Sequence, residues 1–137
     1  MPSYFTVEEA NRTLPLVRRI VQDIVSTYRE AADRLLQIRE LGPGEGAEAE
    51  RRRQLEIEVR ELTQCIDGYI AEVEGIGAQF KGLEEGLVDF YARLDDRPVL
   101  LCWKLGEEQI EWWHEPEAGY AGRQRLPAHL LSVGGGE

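Results

Sequence analysis

The sequence is short of the features that usually announce a function. No apolar run approaches the roughly 20 residues of a membrane helix, so no membrane role is expected. Met1-Pro2-Ser3-Tyr4 carries neither a basic cap nor an apolar segment, and no signal peptide is expected. Cysteine occurs twice, at Cys65 and Cys102. Two distant thiols make no disulfide framework, and a reducing cytoplasm is the expected compartment. The 16 lysines and arginines face 26 acids, for a net charge of −10. Affinity for phosphate backbones rests on clustered cations, so nucleic acid and anionic membranes are disfavoured, while cationic partners and metal ions stay open. The only imidazoles are His114 and His129. No nucleophile elbow, P-loop, dinucleotide fingerprint, Cys-x-x-Cys or His-Glu-x-x-His is present.

What the sequence does have is periodicity. Apolar residues fall at Leu55, Val59, Leu62, Ile66, Tyr69, Val73, Ile76 and Phe80, and in an earlier stretch at Leu14, Val17, Val21, Ile24, Tyr28, Ala31, Leu35 and Ile38. Steps alternating between three and four residues have the period of a coiled-coil seam. The two seams flank Gly42-Pro43-Gly44-Glu45-Gly46, which stops a helix and turns the chain. An antiparallel helical hairpin over about residues 13–81 is expected. Val25, Ala32 and Leu36 form a second partial stripe that needs a cover, either the rest of the chain or a second copy of it. Gly68, Gly75 and Gly82 share a heptad position and read either as a groove for another backbone or as fraying. Arg51, Arg52 and Arg53 read as a solvated hairpin tip with Glu partners, or less readily as an anion patch.

Ahead of the hairpin, Thr6 and Glu9 form a capping box for a short helix from Val7 to about Arg12. Thr13 with Pro15 then predicts a restart, leaving Asn11 exposed at a kink.

From Gly86 the period becomes two. Val88, Phe90 and Ala92, then Val99, Leu101 and Trp103, then Ile110 and Trp112 alternate with polar neighbours across turns at Asp95-Asp96 and Gly106-Glu107-Glu108. This predicts a three-stranded antiparallel meander over about residues 86–116, packed on the hairpin. The outer face would hold Asp89, Tyr91, Arg93, Cys102, Lys104, Glu111 and Trp113. Residues 124–137 read as a flexible tail. The whole is an α+β chain of one domain, residues 1–137.

The candidate chemistry sits on the sheet. His114-Glu115, Asp89 and Cys102 are the best group for a metal, with His114 and Glu115 as the candidate ligands. By parity, however, His114 follows Ile110 and Trp112 toward the helices, where Glu72, Glu74 or Asn11 could meet it. Asp89 and Cys102 point the other way, so a shared site requires a bulge that re-aims one strand. A buried Cys102 thiol is expected to be inert. Lys104, Trp113 and Asp89 on the outer face suit a small ligand or a protein surface. Gly119-Tyr120-Ala121-Gly122-Arg123 reads as a turn, with Arg123 as an anion clamp if it folds back over that face.

Thr6-x-x-Glu9-Ala10-Asn11-x-x-Leu14-Pro15, Gly86-Leu87-Val88-Asp89-Phe90, Leu101-Cys102-Trp103-x-x-Gly106-Glu107, Trp113-His114-Glu115 and Gly119-x-x-Gly122-Arg123 together resemble a family of small bacterial proteins, domain of unknown function 2203. The resemblance covers nearly the whole chain. It implies a stand-alone protein of this size and supplies no activity, cofactor or catalytic residue. The first functional expectation is a non-enzymatic binding or scaffold module acting as a homodimer. The alternative is a metal- or small-ligand-binding protein that uses polar residues at the sheet–helix rim; its cofactor is left unassigned, a divalent metal being the candidate, and an enzymatic role is left open. Candidate binding residues are Asn11, Asp89, Lys104, Trp113, His114 and Arg123.

Overall fold

Thr6 starts the fold as its side chain dictates. Its hydroxyl accepts from the Glu9 N–H at 3.0 Å, and the Glu9 carboxylate accepts from the Thr6 N–H at 2.9 Å. The computed structural model describes residues 4–131. Helix α1 spans Val7–Leu41 and helix α2 Ala47–Ile76. The strands are β1 (Gln79–Gly82), β2 (Leu87–Leu94), β3 (Arg97–Lys104), β4 (Trp112–His114) and β5 (Gln124–Arg125). Single 3-10 turns lie at Tyr120–Gly122 and Ala128–Leu130. All neighbouring strands pair antiparallel, in the order β1-β2-β3-β4-β5.

The expected short helix and restart are replaced by one uninterrupted helix. Thr13 caps nothing; its hydroxyl donates to the Ala10 carbonyl at 2.7 Å. Pro15 lies inside the helix on its exposed side. The apolar stripe explains this continuity. It does not begin at Leu14 but runs unbroken through Val7, Ala10, Leu14, Val17, Val21 and Ile24, all buried, so packing on both sides of Pro15 holds one helix axis.

The two long helices pack antiparallel, as the contacts Arg34–Glu58 (3.1 Å) and Gln37–Arg51 (3.3 Å) show. The arginine triplet belongs to this tip. Arg51 bonds Gln37, Arg52 the Gly42 carbonyl and Arg53 the Glu50 carboxylate. Gly68 and Gly75 face open space, so no backbone fills the expected groove. Among the described residues, no helix is long and apolar enough to cross a membrane.

The sheet has five strands, not three. The second helix ends at Ile76, where Gly77 adopts a left-handed cap, and Gln79 and Phe80 become an edge strand beside β2. At the other edge, residues 124–131 are not a loose tail. Gln124 and Arg125 pair with β4, and Leu126 is buried in the core. The remainder of the expected tail, residues 132–137, lies outside the described residues. Asp95 and Asp96 both take positive φ (53° and 65°), the two-residue turn whose twist matches a hairpin, here joining β2 and β3.

Val88, Phe90, Val99, Leu101, Trp103, Trp113 and Ile110 join the helix residues in one core. Gly86 sets how closely sheet and helix approach. A Cβ there would come within 2.8 Å of Val21 and 2.9 Å of Leu105, and its φ of +75° suits glycine. Of the stripe Val25, Ala32 and Leu36, only the first residue is covered. Val25 is buried beneath Gly86, whereas Ala32 and Leu36 are exposed.

Asn11 is not exposed at a kink. Its side-chain oxygen accepts from the Ile110 N–H at 2.7 Å and so pins the loop before β4 onto α1. Ile110 is fully buried, so an Asn11→Ala protein should leave that N–H without a partner. We expect a loss of about 1–3 kcal/mol in urea unfolding, and a smaller loss for Asn11→Asp, which keeps an acceptor.

Candidate metal centre on the outer sheet face

The rungs across β2, β3 and β4 read Asp89–Cys102–Trp112, Phe90–Leu101–Trp113 and Tyr91–Leu100–His114. Directly opposed residues share a face. Asp89, Cys102 and His114 therefore lie together on the outer face, and the expected parity conflict does not exist. The error lay in the phase of β4. Ile110 is inserted into the core from a loop, and the strand begins only at Trp112. The apparent alternation of Ile110 with Trp112 crosses that irregular join, so every residue after it changes sides. Trp113, expected on the outer face, is buried in the core opposite Leu101; Trp112 takes the outer position.

Three buried polar side chains converge as a result. Asp89, Cys102 and His114 are 5 %, 1 % and 3 % exposed. One ligand atom from each lies within 4.8 Å of the others, the one such trio of potential metal ligands among the described residues. His114 Nδ1 sits 2.7 Å from the Glu115 carbonyl oxygen. A carbonyl can only accept, so Nδ1 carries the hydrogen, and Nε2 is turned toward Asp89 with both carboxylate oxygens at 3.2 Å. Nε2 and the carboxylate can face each other so closely only by sharing a positive charge, either a proton or a cation. Without a cation, burial pushes the Asp89 carboxyl above the usual range, although His114 pulls it back. Burial, and then the charge of Asp89, push the Cys102 thiol from 9.0 to about 11.

That thiol makes stability depend on alkaline pH. Its folded-state pKa is raised, so its contribution is present below pH 9 and is lost as pH climbs toward 11. In chelator, wild-type protein should lose on the order of 2 kcal/mol more than Cys102→Ala between about pH 8 and 10.5, measured by paired urea titrations. A free thiolate nucleophile at neutral pH does not fit this environment.

Above the trio is a cleft of about 290 Å³, lined by Lys81, Leu87, Asp89, Leu100, Cys102, His114, Pro116, Gly119 and Tyr120. The segment after β4 forms its far wall and carries Arg123 back over the face. The Arg123 guanidinium lies 4.5 Å from the Trp112 and Tyr120 ring centres, donates to Glu107 at 2.7 Å, and stands 3.9 Å from the Cys102 sulfur. The anion it clamps is thus Glu107 of its own chain. Lys104 is on the same face, its ammonium 5.8 Å from the Tyr120 ring centre.

The remaining candidates lie elsewhere. Asn11 serves the loop on the helix side of the sheet. The Glu115 carboxylate pairs with Arg97 at 3.1 Å, and only its carbonyl reaches His114. Neither Glu72 nor Glu74 is a His114 partner. His129 is exposed on the last 3-10 turn. Sequence reasoning missed Lys81, Glu107, Trp112 and Tyr120. Lys81 was hidden because its strand reads as the end of a helix.

The donor set suits a divalent transition ion. Bonds of about 2.0–2.3 Å place tetrahedral donors roughly 3.5 Å apart, so the present spacing of up to 4.8 Å closes with small side-chain shifts. Fixing Nδ1–H on a backbone carbonyl is how a ligating histidine is commonly oriented through Nε2.

No curated protein and no solved structure matches the chain at a significant level. A family model matches residues 3–126, most of the chain. The chain belongs to the family described as uncharacterized conserved protein (DUF2203).

Proposed function

We propose that the protein binds a divalent transition metal ion of the zinc class through Asp89, Cys102 and His114, with a coordination position left open toward the cleft. The observation that carries this reading is the convergence of a nitrogen, an oxygen and a sulfur donor, all buried, on one cleft. Three protein donors with one open position is the pattern of sites that act on a ligand, whereas closed structural sites use four. The chemistry such an ion would supply is polarisation of a bound water or substrate oxygen. A thiolate ligand also calls for a reducing compartment, in keeping with a cytoplasmic protein.

The test is Co2+ titration of protein purified without an affinity tag and stripped of metal. One equivalent should bind, giving a visible spectrum of tetrahedral intensity and a thiolate-to-cobalt charge-transfer band that Cys102→Ser abolishes. Saturation at a hundred times the dissociation constant should stabilise the fold by about 2.7 kcal/mol. Failure to bind, or an unchanged melting temperature with excess Co2+ and Zn2+, rejects the proposal.

A second reading, that the chain works as a homodimeric binding or scaffold module, draws on the far half of the hairpin. Leu35 and Leu36 are about half exposed there (53 % and 50 %), and Leu35, Ile38 and Val59 line a shallow groove. Sedimentation velocity decides it: a strict monomer at tens of micromolar would reject the dimer.

A further inference from the structure

Lys81 and Lys104 are the only lysines in the chain, and both stand beside this cleft. Lys81 is an exposed residue on β1 where the pairing with β2 is irregular; it lines the cleft, and its charge acts on Asp89. Lys104 follows Cys102 by two residues on the same face of β3 and approaches Tyr120, another lining residue. Neither lysine forms an ion pair among the described residues, although acids outnumber bases by ten. Arg123, the other cation over the face, is engaged by Glu107.

The charge count at the metal explains what two unpaired ammonium groups would do there. A divalent ion held by the Asp89 carboxylate, the Cys102 thiolate and a neutral imidazole has no net charge left. An anion entering the open position would have to find its counter-charge elsewhere, and Lys81 and Lys104 offer it. The rest of the wall is apolar: Leu87, Leu100, Pro116 and the Tyr120 ring. A cleft of about 290 Å³ is near the small end of ligand pockets. We infer that the cleft takes a small organic oxyanion, a carboxylate or phosphate monoester with a short apolar body, its charged group held between the metal and Lys81 and Lys104 and its body against Leu87, Leu100 and Tyr120. This rests on the metal reading, because one oxygen of the anion occupies the open coordination position.

The experiment titrates Co2+-loaded protein with benzoate, phenyl phosphate and acetate, following the visible cobalt bands. Benzoate or phenyl phosphate should shift the bands saturably and bind more tightly than acetate, and the better of the two identifies the charged group. Lys81→Gln and Lys104→Gln should each weaken that binding by about tenfold or more, and Lys81→Arg should retain most of it. The charge-matched control Arg29→Gln, at an exposed position on α1, should bind like wild type. The spectrum recorded before the anion is added shows whether each variant still builds the metal centre. Loaded protein whose bands ignore all three anions, or lysine variants that titrate like wild type, would overturn this inference and leave the metal site standing. Protein that binds no Co2+ overturns both.

Discussion

Replacing His114 by alanine should weaken Co2+ and Zn2+ binding by about a hundredfold or more. Disturbing only the outer partners of a metal ligand costs 10–100-fold, so deleting a ligand belongs at or beyond the upper end. The geometry makes His114 the informative choice. It alone supplies a nitrogen donor to the trio, and its ring is held by the Glu115 carbonyl at 2.7 Å. Removing it leaves Asp89 and Cys102 buried without that partner, so the fold is watched in parallel by circular dichroism and urea unfolding. His114→Gln, which keeps a polar group of similar reach, separates lost ligation from lost packing. If both variants keep wild-type affinity for Co2+, His114 is no ligand and the trio is only a hydrogen-bonded network.

Trp103→Ala should give the largest loss of stability, about 3–5 kcal/mol in urea unfolding. That is a large part of the 5–15 kcal/mol typical of a domain. Trp103 is fully buried among the helix and sheet residues of the core. It is also tied to the turn that follows: its indole N–H donates to the Glu107 carbonyl at 3.0 Å, and the Arg18 guanidinium lies 5.8 Å from its ring centre. Arg18 in turn donates to the Glu108 carbonyl at 2.9 Å. The same turn presents the Glu107 carboxylate to Arg123. The substitution should therefore both open a cavity and loosen the wall that carries Arg123. Trp103→Phe, which refills most of the volume without the N–H, should recover the larger part. A loss under about 1 kcal/mol for Trp103→Ala would contradict the packing described here.

The helical hairpin was legible because its signal repeats. Of the seam positions on α1, only Leu35 is exposed, and none on α2 is. Strands β2 and β3 were legible for the same reason, through Val88, Phe90, Val99, Leu101 and Trp103. Single events erased the signal elsewhere. Pro15 reads as a restart, yet the stripe from Val7 to Ile24 overrides it. Phe80 continues the heptad count although Gly77 has already ended the helix. The candidate site was legible as chemistry and not as geometry. Asp89, His114 and Cys102 stand out for their donor atoms, but Ile110 sits outside β4, its N–H held by Asn11 across the fold, a tertiary bond that no local pattern contains. Lys104 lies on the outer face that its alternation predicts, Arg123 reaches that face although its segment reads first as a plain turn, and Trp113 crosses the sheet with the shifted phase.

Every contact named between α1 and the sheet falls between the start of the helix and Val25, while all three donors of the trio sit on consecutive strands at fixed rungs. We therefore expect the hairpin tip to act as a free arm: excising one heptad from each helix there, opposite its partner, should shorten the rod and leave the strand pairings in place. On that expectation, arm length can be altered without retuning the pocket.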